Sequence, residues 1–488
     1  MKLQIHSLCG LFCAVLVTIF LSSCSTKEKE MPITTSSDEA KQLFIQGRED
    51  LFNAETEKAA QLFEDAINKD STFALAYLLR AFSGGGREVL KSNLEKAVLL
   101  SDKVTEGEQL LIKANKASNI DNDRNLAGEY LKKLLTMFPG DKFAHFSYAL
   151  SFFNQGENDS AITYLKNTIE LDAVFAPAHN ILGYAYMSKG ENEEAEKEFK
   201  EYIRLAPERP NPYDSYGEFL LKVGRYDESI ENYLKSNEID PSFTTAFLAA
   251  GDNYTFKGDY AKARDHYQKY FDNSKTVTAK LDALNRKARS YLYENKLDEA
   301  LKSYENVKAF AEKENKAVEN MWTNFYQGFA LSEFGKTAEG LKKFQESIKL
   351  IDKIGLNEKD RDYFKVLSNN LMAYAYTMNN DLSKAKHEAD IFRKSVEKTD
   401  DASLKEMADF GIIGFMAFKK GDYKSTIEKF KMLSKPDAQD KYYLAQAYFK
   451  SGNKEAANKL FNEIINSNDN TIQLAVVWNK VKQELGKK

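Results

Sequence analysis

The sequence predicts an all-α fold, an α-solenoid of about a dozen tandem helix–turn–helix pairs. First, a pattern of small and aromatic residues recurs every 34 residues in three consecutive copies. Second, each copy carries a glycine where a tight turn between two helices is needed. Third, the 488 residues include only 8 prolines, which suits helices. In such a solenoid each unit packs only on its neighbours, so the function is expected to lie on a surface.

The two helices of a copy are marked by small residues. Gly183, Gly217 and Gly251 stand on the first helices, and Ala195, Ser229 and Ala263 stand on the second helices. Because a glycine has no Cβ, it lets two helix backbones approach closely, so we place the crossing of each pair at these positions. Four residues after the second small residue comes an aromatic residue, which we expect to fill the space between neighbouring repeats. These aromatic residues are Phe199, Tyr233 and Tyr267.

Glycine and proline predict where the helices end. Gly190, Gly224 and Gly258 fall between the two helices of their copies, where a tight turn requires positive φ. Pro207 and Pro241 follow two of the second helices and cannot continue them.

This combination of residues resembles the tetratricopeptide repeat family, over roughly residues 40–470. The resemblance implies a right-handed superhelix whose first helices line a concave groove for an extended peptide or a partner helix. We expect an N-terminal array of 34-residue repeats over 40–276 and a C-terminal array of longer repeats over 277–470. Residues 471–488 are predicted to form a capping helix and tail, with Trp478 packed on the last repeat.

The amino terminus has the pattern of a targeting signal. Lys2 precedes an uncharged apolar run that is too short to cross a bilayer, and the run ends in Leu21-Ser22-Ser23-Cys24. That ending resembles the lipobox of bacterial lipoproteins, which implies cleavage between Ser23 and Cys24 and a lipid on Cys24. Residues 1–23 are therefore predicted to be a lipoprotein signal peptide. The alternative is an ordinary secretory signal in which the cysteine is incidental.

The polar residues 24–39 are predicted to form a lipidated, flexible tether. Ser25 is permissive for outer-membrane sorting in lipoprotein families. Lys27-Glu28 is similar to the surface-export signal of Bacteroidetes lipoproteins, although a solvated linker explains it equally well. We expect a lipid-anchored protein of the cell envelope, at the outer membrane and on its periplasmic or surface face. All 3 cysteines lie in residues 1–24, so the mature chain would contain no disulfide.

The groove is assigned to first-helix positions offset from the small residues. The candidates for partner binding are Phe146, Phe153, Asn180, Tyr184, Asn211, Asp214, Glu218, Asp252 and Phe256. Asp214 and Glu218 are four residues apart and share one helix face, so the groove would carry an acidic stretch that favours a basic partner. The alternative is that both acids are ordinary solvated residues and that Phe146 belongs to the core.

Other chemistry finds little support in the sequence. The net charge of −4, with both signs interspersed, does not indicate nucleic-acid binding. The 5 histidines are scattered singly, so we expect no metal site, and no motif indicates a cofactor or a catalytic nucleophile. Gly335-Lys336-Thr337 lacks the first glycine of a phosphate-binding loop, and Asp121-x-Asp123-x-Asn125 lacks the glycine of a calcium loop.

The sequence therefore predicts a non-catalytic envelope scaffold that binds a protein or peptide partner. The alternative is a ligand-binding accessory component of an outer-membrane nutrient-uptake or assembly system. In that case exposed aromatic side chains would be available for a glycan.

Overall fold

The computed structural model describes residues 30–486. Over this range all regular secondary structure is helical. None of the helices in it is both long enough and apolar enough to cross a membrane. The predicted signal peptide and its cleavage site at Ser23 and Cys24 lie outside the described residues. The chain divides into two compact units, one ending at Ala206 and the other beginning at Pro207.

The first unit contains five helix pairs. They are α1 (Asp38–Phe52) with α2 (Thr56–Lys69), α3 (Ala74–Arg80) with α4 (Gly86–Leu100), α5 (Glu106–Asn119) with α6 (Arg124–Met137), α7 (Lys142–Phe153) with α8 (Asn158–Leu171), and α9 (Ala176–Lys189) with α10 (Asn192–Leu205). The second pair is irregular because α3 has only 7 residues and ends at the loop that contains Gly84 and Gly85.

The second unit contains seven helix pairs and a terminal helix. The first five pairs are α11 (Asn211–Lys222) with α12 (Tyr226–Ile239), α13 (Thr245–Lys257) with α14 (Tyr260–Asn273), α15 (Val277–Tyr293) with α16 (Leu297–Lys313), α17 (Ala317–Glu333) with α18 (Thr337–Ile351), and α19 (Glu358–Met378) with α20 (Leu382–Val396). In the sixth pair, α21 (Ala402–Glu406), a π turn (Met407–Gly411) and α22 (Ile412–Lys419) form one helix that packs on α23 (Tyr423–Phe430). The unit ends with α24 (Ala438–Lys450), α25 (Lys454–Ile465) and α26 (Ile472–Glu484). Twelve pairs in residues 30–486 confirm the predicted all-α solenoid fold.

A glycine and an aromatic ring form the joint within a pair. A Cβ placed on Gly183 would lie 2.9 Å from the ring of Phe199, and one on Gly251 would lie 2.4 Å from the ring of Tyr267. The same sixteen-residue separation joins four more pairs of residues, which are Gly47 and Phe63, Gly217 and Tyr233, Gly328 and Phe344, and Gly414 and Phe430. The ring thus packs across its own helix pair, whereas the sequence analysis placed it between repeats.

The predicted turns are confirmed. Gly190 has φ 77° and Gly258 has φ 87°, in the left-handed region that an L side chain rarely adopts. Gly335 lies in the turn between α17 and α18, in agreement with a structural role for that motif. Asp123 caps the amino terminus of α6 by accepting the N–H of Leu126, so the calcium-like pattern is a capping turn.

The predicted boundary near residue 276 coincides with a change of helix length. Helix α14 has 14 residues and α15 has 17. The two compact units nevertheless divide between Ala206 and Pro207. The chain does not divide near residue 276 because α26 packs on α15 and α17 as well as on α24 and α25. The terminal helix thus joins early and late repeats into one unit.

The polar segment before α1 is packed against the first unit. The sequence analysis assigned residues 24–39 to a flexible tether, but residues 31–37, the N-terminal strap, are hydrogen-bonded to buried acids. The N–H and hydroxyl groups of Thr34 donate to the carboxylate of Glu108 at 2.7 and 2.5 Å. Asp70 accepts three hydrogen bonds from the strap. A tether can therefore extend only to the residue before the strap.

Candidate interaction surfaces

The C-terminal segment, defined here as residues 466–485, covers first helices of the second unit. The indole of Trp478 lies 6.0 Å from the ring of Phe256 on α13 and 5.4 Å from the ring of Tyr293 on α15, measured between centroids. Helix α26 also contacts α24 and α25, as a terminal helix should. Trp478 was expected to pack on the last repeat, and its ring also reaches the second and third pairs of this unit.

Asparagine side chains fix the extended part of this segment. Asn468 Nδ2 donates to the carbonyl oxygen of Leu221 at 2.6 Å, and Asn470 Nδ2 donates to the carboxylate of Asp252 at 2.6 Å. Further along, Asn479 Nδ2 donates to two backbone carbonyls at the end of α15, at 3.2 and 3.0 Å. The surface therefore binds a polypeptide through amide, carbonyl and carboxylate groups as well as through aromatic rings.

A buried carboxylate anchors α26. The side chain of Glu333 is 0 % exposed, and it accepts hydrogen bonds from Lys480 at 2.6 Å, from Tyr374 at 2.8 Å and from Tyr443 at 3.0 Å. Burial opposes its ionisation, but the ammonium of Lys480 and the hydrogen bonds of Tyr374 and Gln439 outweigh burial and hold its pKa below the ordinary value. The C-terminal segment thus supplies the cation that this buried acid requires.

Two predicted groove residues lie beneath the C-terminal segment. Asp252 and Phe256 stand on α13, a first helix, as expected, but they are only 9 % and 7 % exposed. Asp252 forms an ion pair with Arg286 and accepts a hydrogen bond from Tyr267 at 2.8 Å as well as the bond from Asn470. Both residues therefore already bind a peptide, and that peptide belongs to the same chain.

The aromatic candidates of the first unit are partly core residues. Phe146 is 2 % exposed and packs edge-on against Phe52 and Phe175, with centroids 5.2 Å apart in both cases. The alternative interpretation of Phe146 as a core residue therefore agrees with its burial. Phe153, at the end of α7, is half-buried.

Asn180 and Tyr184 are placed on α9. Asn180 is buried, and its Oδ1 has no hydrogen-bond partner among the residues that the structure describes. Tyr184 is half-buried and meets the ring of Phe199 edge-on at 5.1 Å. The oxygen is enclosed, so Asn180 is a buried polar group whose missing hydrogen bond costs free energy.

Asn211, Asp214 and Glu218 lie along α11. Asn211 is buried, Asp214 is half-buried and Glu218 is exposed. Burial and, secondly, the charge of Glu218 raise the pKa of Asp214 to about 7. Asp214 therefore takes up a proton near neutral pH, and a cation bound beside it would lower its pKa again.

The sequence analysis missed a cavity of about 740 Å³ in the second unit. It lies among α17, α18, α19, the α21–α22 helix and α24. Its aromatic lining consists of Trp322, Phe325, Phe329, Phe364, Tyr374, Phe415, Phe430 and Tyr443, and its carboxyl groups belong to Glu406, Asp437 and Asp440. In the sequence these aromatic residues are indistinguishable from core positions, and the two aspartates have the spacing of an N-terminal helix cap. Within residues 30–486, these three carboxyl groups included, no group of three or more His, Cys, Asp or Glu side chains is placed to hold a metal ion.

Comparison with known proteins identifies tetratricopeptide repeats in three stretches. Family models of this repeat match residues 146–210, 211–243 and 441–471. These stretches cover the joint of Gly183 with Phe199, the joint of Gly217 with Tyr233, and the last helix pair.

Several solved structures are similar to parts of the chain. MamA is 26% identical, and the match covers 33% of this chain and 93% of MamA with a TM-score of 0.30. YrrB, described as a TPR protein with an unusual peptide-binding site, is 18% identical over 38% of this chain and 93% of its own, with a TM-score of 0.30. A tetratricopeptide repeat protein from Parabacteroides merdae is 13% identical over 56% of this chain and 94% of its own, with a TM-score of 0.33.

Proposed function

We propose that this protein is a lipid-anchored, non-catalytic scaffold of the bacterial cell envelope, which binds a protein or peptide partner on the first helices of its repeats. The observation that carries the proposal is the C-terminal segment. Its helix α26 packs on the first helices α15, α17 and α24 and on α25, and the segment is hydrogen-bonded to residues of α11, α13 and α17. A surface that binds its own chain in this way has the chemistry to bind another.

The mode of binding supports a polypeptide ligand. Asn468 and Asn470 lie in the extended stretch before α26, and Trp478 and Lys480 lie on the helix itself. The hydrogen bonds of this segment to the surface come from its side chains, so they select particular residues, as the ring of Trp478 and the charge of Lys480 also do.

The charge of α11 supports a basic partner. Asp214 has a pKa of about 7 because it is buried beside Glu218. A lysine or arginine placed there by a partner would restore the ionised form and gain a charge-assisted hydrogen bond. This contribution is independent of the C-terminal segment, whose contacts with acidic groups involve Asp252 and Glu333.

The proposed location rests on the amino terminus. The ending Leu21-Ser22-Ser23-Cys24 supports cleavage before Cys24 and lipid attachment to it, and Ser25 supports the outer membrane as the destination. The similarity to Bacteroidetes lipoproteins belongs to the same proposal.

Site-specific photocrosslinking in cells tests the partner surface. A photoreactive residue is placed at Asp214 or Glu218 on α11 and, as matched controls, at the exposed Glu231 or Lys235 on α12 of the same pair. We expect adducts with one protein at the α11 positions only, and their loss when Asp214→Lys is combined with a photoreactive residue at Glu218.

The controls give the experiment its power. Adducts of equal yield on both helices, or on α12 alone, would place the partner elsewhere and contradict a first-helix surface. Adducts on α11 that survive Asp214→Lys would retain the surface but contradict the basic partner.

A further inference from the structure

We propose that the cavity of the second unit is a binding site for a small organic cation, an ammonium group attached to an apolar body. This site adjoins the surface covered by the C-terminal segment, because Gln473 of that segment lines it and because Tyr374 and Tyr443 both line it and donate to Glu333. Its other walls come from α17, α18, α19, the α21–α22 helix, α23 and α24. The proposal rests on the shape of the cavity, its aromatic walls and its carboxyl groups.

The size and the lining of the cavity fit a small molecule. Its volume of about 740 Å³ lies within the range of roughly 300–1,000 Å³ that is common for such sites. Tyr374 is stacked between Phe329 at 5.3 Å and Phe415 at 5.1 Å, so these three rings form a fixed apolar wall. Trp322 meets Phe364 edge-on at 5.8 Å, and the rings of Trp322, Phe325 and Phe364 are only half-buried. Half-buried aromatic rings can attract a cation and also cover the apolar body that carries it.

Two carboxyl groups enter the cavity without a cation of their own. Asp437 accepts the backbone N–H groups of Gln439 and Asp440, and Asp440 accepts the backbone N–H of Asp437. No lysine or arginine in residues 30–486 forms an ion pair with either. Asp440 is half-buried, and burial, followed by the neighbouring Asp437, raises its pKa to about 8. Asp437 lies at the exposed mouth of the cavity. An ammonium group between them would favour the ionised form of both acids.

The charge balance of the lining favours a cation over an anion or a neutral ligand. Glu406, Asp437 and Asp440 contribute carboxyl groups, and Lys435 is the one basic residue among the lining residues. Glu406 accepts the N–H and the hydroxyl of Ser434, at 2.9 and 2.8 Å, so part of its charge is already stabilised. The two aspartates are therefore the groups whose negative charge a cationic ligand would neutralise.

The π turn supports a role for this cavity beyond packing. Met407 and Gly411 lie at its two ends, and both line the cavity. A single π turn inserted in a helix is found frequently at functional sites, because it displaces backbone and side chains from regular α-helical positions. Here it interrupts the α21–α22 helix where that helix lines the cavity.

Calorimetric titration of the purified protein with three matched probes tests the proposal. The probes 4-phenylbutylamine, 4-phenylbutan-1-ol and 4-phenylbutyrate share one body and differ in charge. We expect the amine to bind about tenfold more tightly than the alcohol, and the carboxylate to bind most weakly. The double variant Asp437→Asn/Asp440→Asn should lose about tenfold in affinity for the amine and leave the alcohol unchanged, because asparagine still caps a helix.

Two further variants make the result decisive. Asp360 pairs with Asn357 at the start of α19 as Asp440 pairs with Asp437 at the start of α24, but it does not line the cavity. We expect the Asp360→Asn variant to bind the amine like the unmodified protein. Ser403→Trp places an indole at the exposed rim of the cavity while keeping both aspartates, and we expect it to weaken binding of the amine and the alcohol alike. Equal affinities for the three probes, or an amine affinity unchanged by both the double variant and Ser403→Trp, would overturn the proposal.

Discussion

A glycine on the first helix and an aromatic ring sixteen residues later set how closely the two helices of a pair approach. Gly251→Ala would place a Cβ 2.4 Å from Tyr267, whose hydroxyl is fixed by Asp252. Since the ring cannot move away without breaking that hydrogen bond, we expect a loss of about 1–3 kcal/mol in the free energy of unfolding. Urea titration followed by circular dichroism measures it.

Gly128→Ala is the matched control. Gly128 also lies inside a helix, α6, but nothing stands within 4 Å of the Cβ that would be added. Alanine there should raise the free energy of unfolding by about 0.5–1 kcal/mol, because it restricts the unfolded chain and favours the helix. If the two substitutions had the same effect, close approach at Gly251 would not be the reason for its glycine.

The pair of Glu333 and Lys480 makes a second prediction at the scale of residues. Lys480→Met leaves a fully buried carboxylate without its cation, so we expect a loss of about 3 kcal/mol near neutral pH. The double variant Glu333→Gln/Lys480→Met should recover most of that loss. Lys441→Met, which breaks the partly exposed pair of Lys441 with Glu463, should cost less than about 1 kcal/mol.

The pH dependence of this loss has a defined sign. In the unmodified protein the pKa of Glu333 lies below its ordinary 4.5, so the stabilisation is present above that pH and is lost as the pH falls through the folded-state pKa. In Lys480→Met burial dominates and the pKa of Glu333 rises. Lys480→Met should therefore destabilise the protein less at pH 5 than at pH 7.5. A loss of stability in this variant that is larger at pH 5 would contradict this account.

At the scale of elements, the helices of the regular copies follow from their residues, whereas the two terminal segments do not. The spacing of Gly183 and Gly190 is sufficient to predict both helices of their pair and the turn between them. The sequence also predicts α26 as a helix. It does not show that Asn470 and Trp478 bind α13 and α15, because those contacts join residues about two hundred positions apart and have no periodic pattern.

The N-terminal strap was missed for the same reason. Thr34 and its neighbours have the composition of a flexible linker. Their acceptors are Asp70, at the end of the first pair, and Glu108, on the third pair, and both are buried in the stacked repeats. Composition alone therefore assigned this segment to the tether, because it does not show the tertiary hydrogen bonds to Glu108 and Asp70.

Trp478→Ala tests how the C-terminal segment is held. The indole is 5% exposed, and its removal leaves a gap beside Phe256 and Tyr293. We therefore expect the free energy of opening of the C-terminal segment to fall by about 3–5 kcal/mol. Hydrogen exchange of residues 468–484 should become faster while α12 remains protected. Phe449→Ala, at a ring that is 41% exposed on α24, should leave exchange unchanged. Unchanged protection of α26 in the tryptophan variant would show that its polar contacts suffice.

At the scale of the whole molecule, the candidate sites required the folded chain. First-helix positions such as Asp214 and Asp252 could be assigned from the repeat pattern, but their burial could not, because the C-terminal segment covers one and leaves the other half-exposed. The cavity is lined by residues of the π turn, by Asp437 and Asp440, and by aromatic residues from other pairs. Neither the π turn nor that juxtaposition has a signature in a single sequence.

The proposed lipid anchor makes a prediction for the whole molecule. Seven residues, 24–30, precede the strap, so a lipid on Cys24 would hold the first unit within roughly 25 Å of the bilayer surface, given an extended rise of about 3.3–3.6 Å per residue.

Cys24→Ser removes the site of attachment, whereas Cys13→Ser changes a cysteine inside the predicted signal peptide. We expect Cys24→Ser to abolish metabolic labelling with a radioactive fatty acid and to move the protein from the membrane to the soluble fraction, since each buried CH₂ of an acyl chain contributes about 0.8 kcal/mol to membrane binding. Cys13→Ser should be labelled and membrane-bound like the unmodified protein. Labelling that persists in Cys24→Ser would contradict the lipid anchor, and a protein that is unlabelled in all three forms yet still secreted would support the ordinary secretory signal instead.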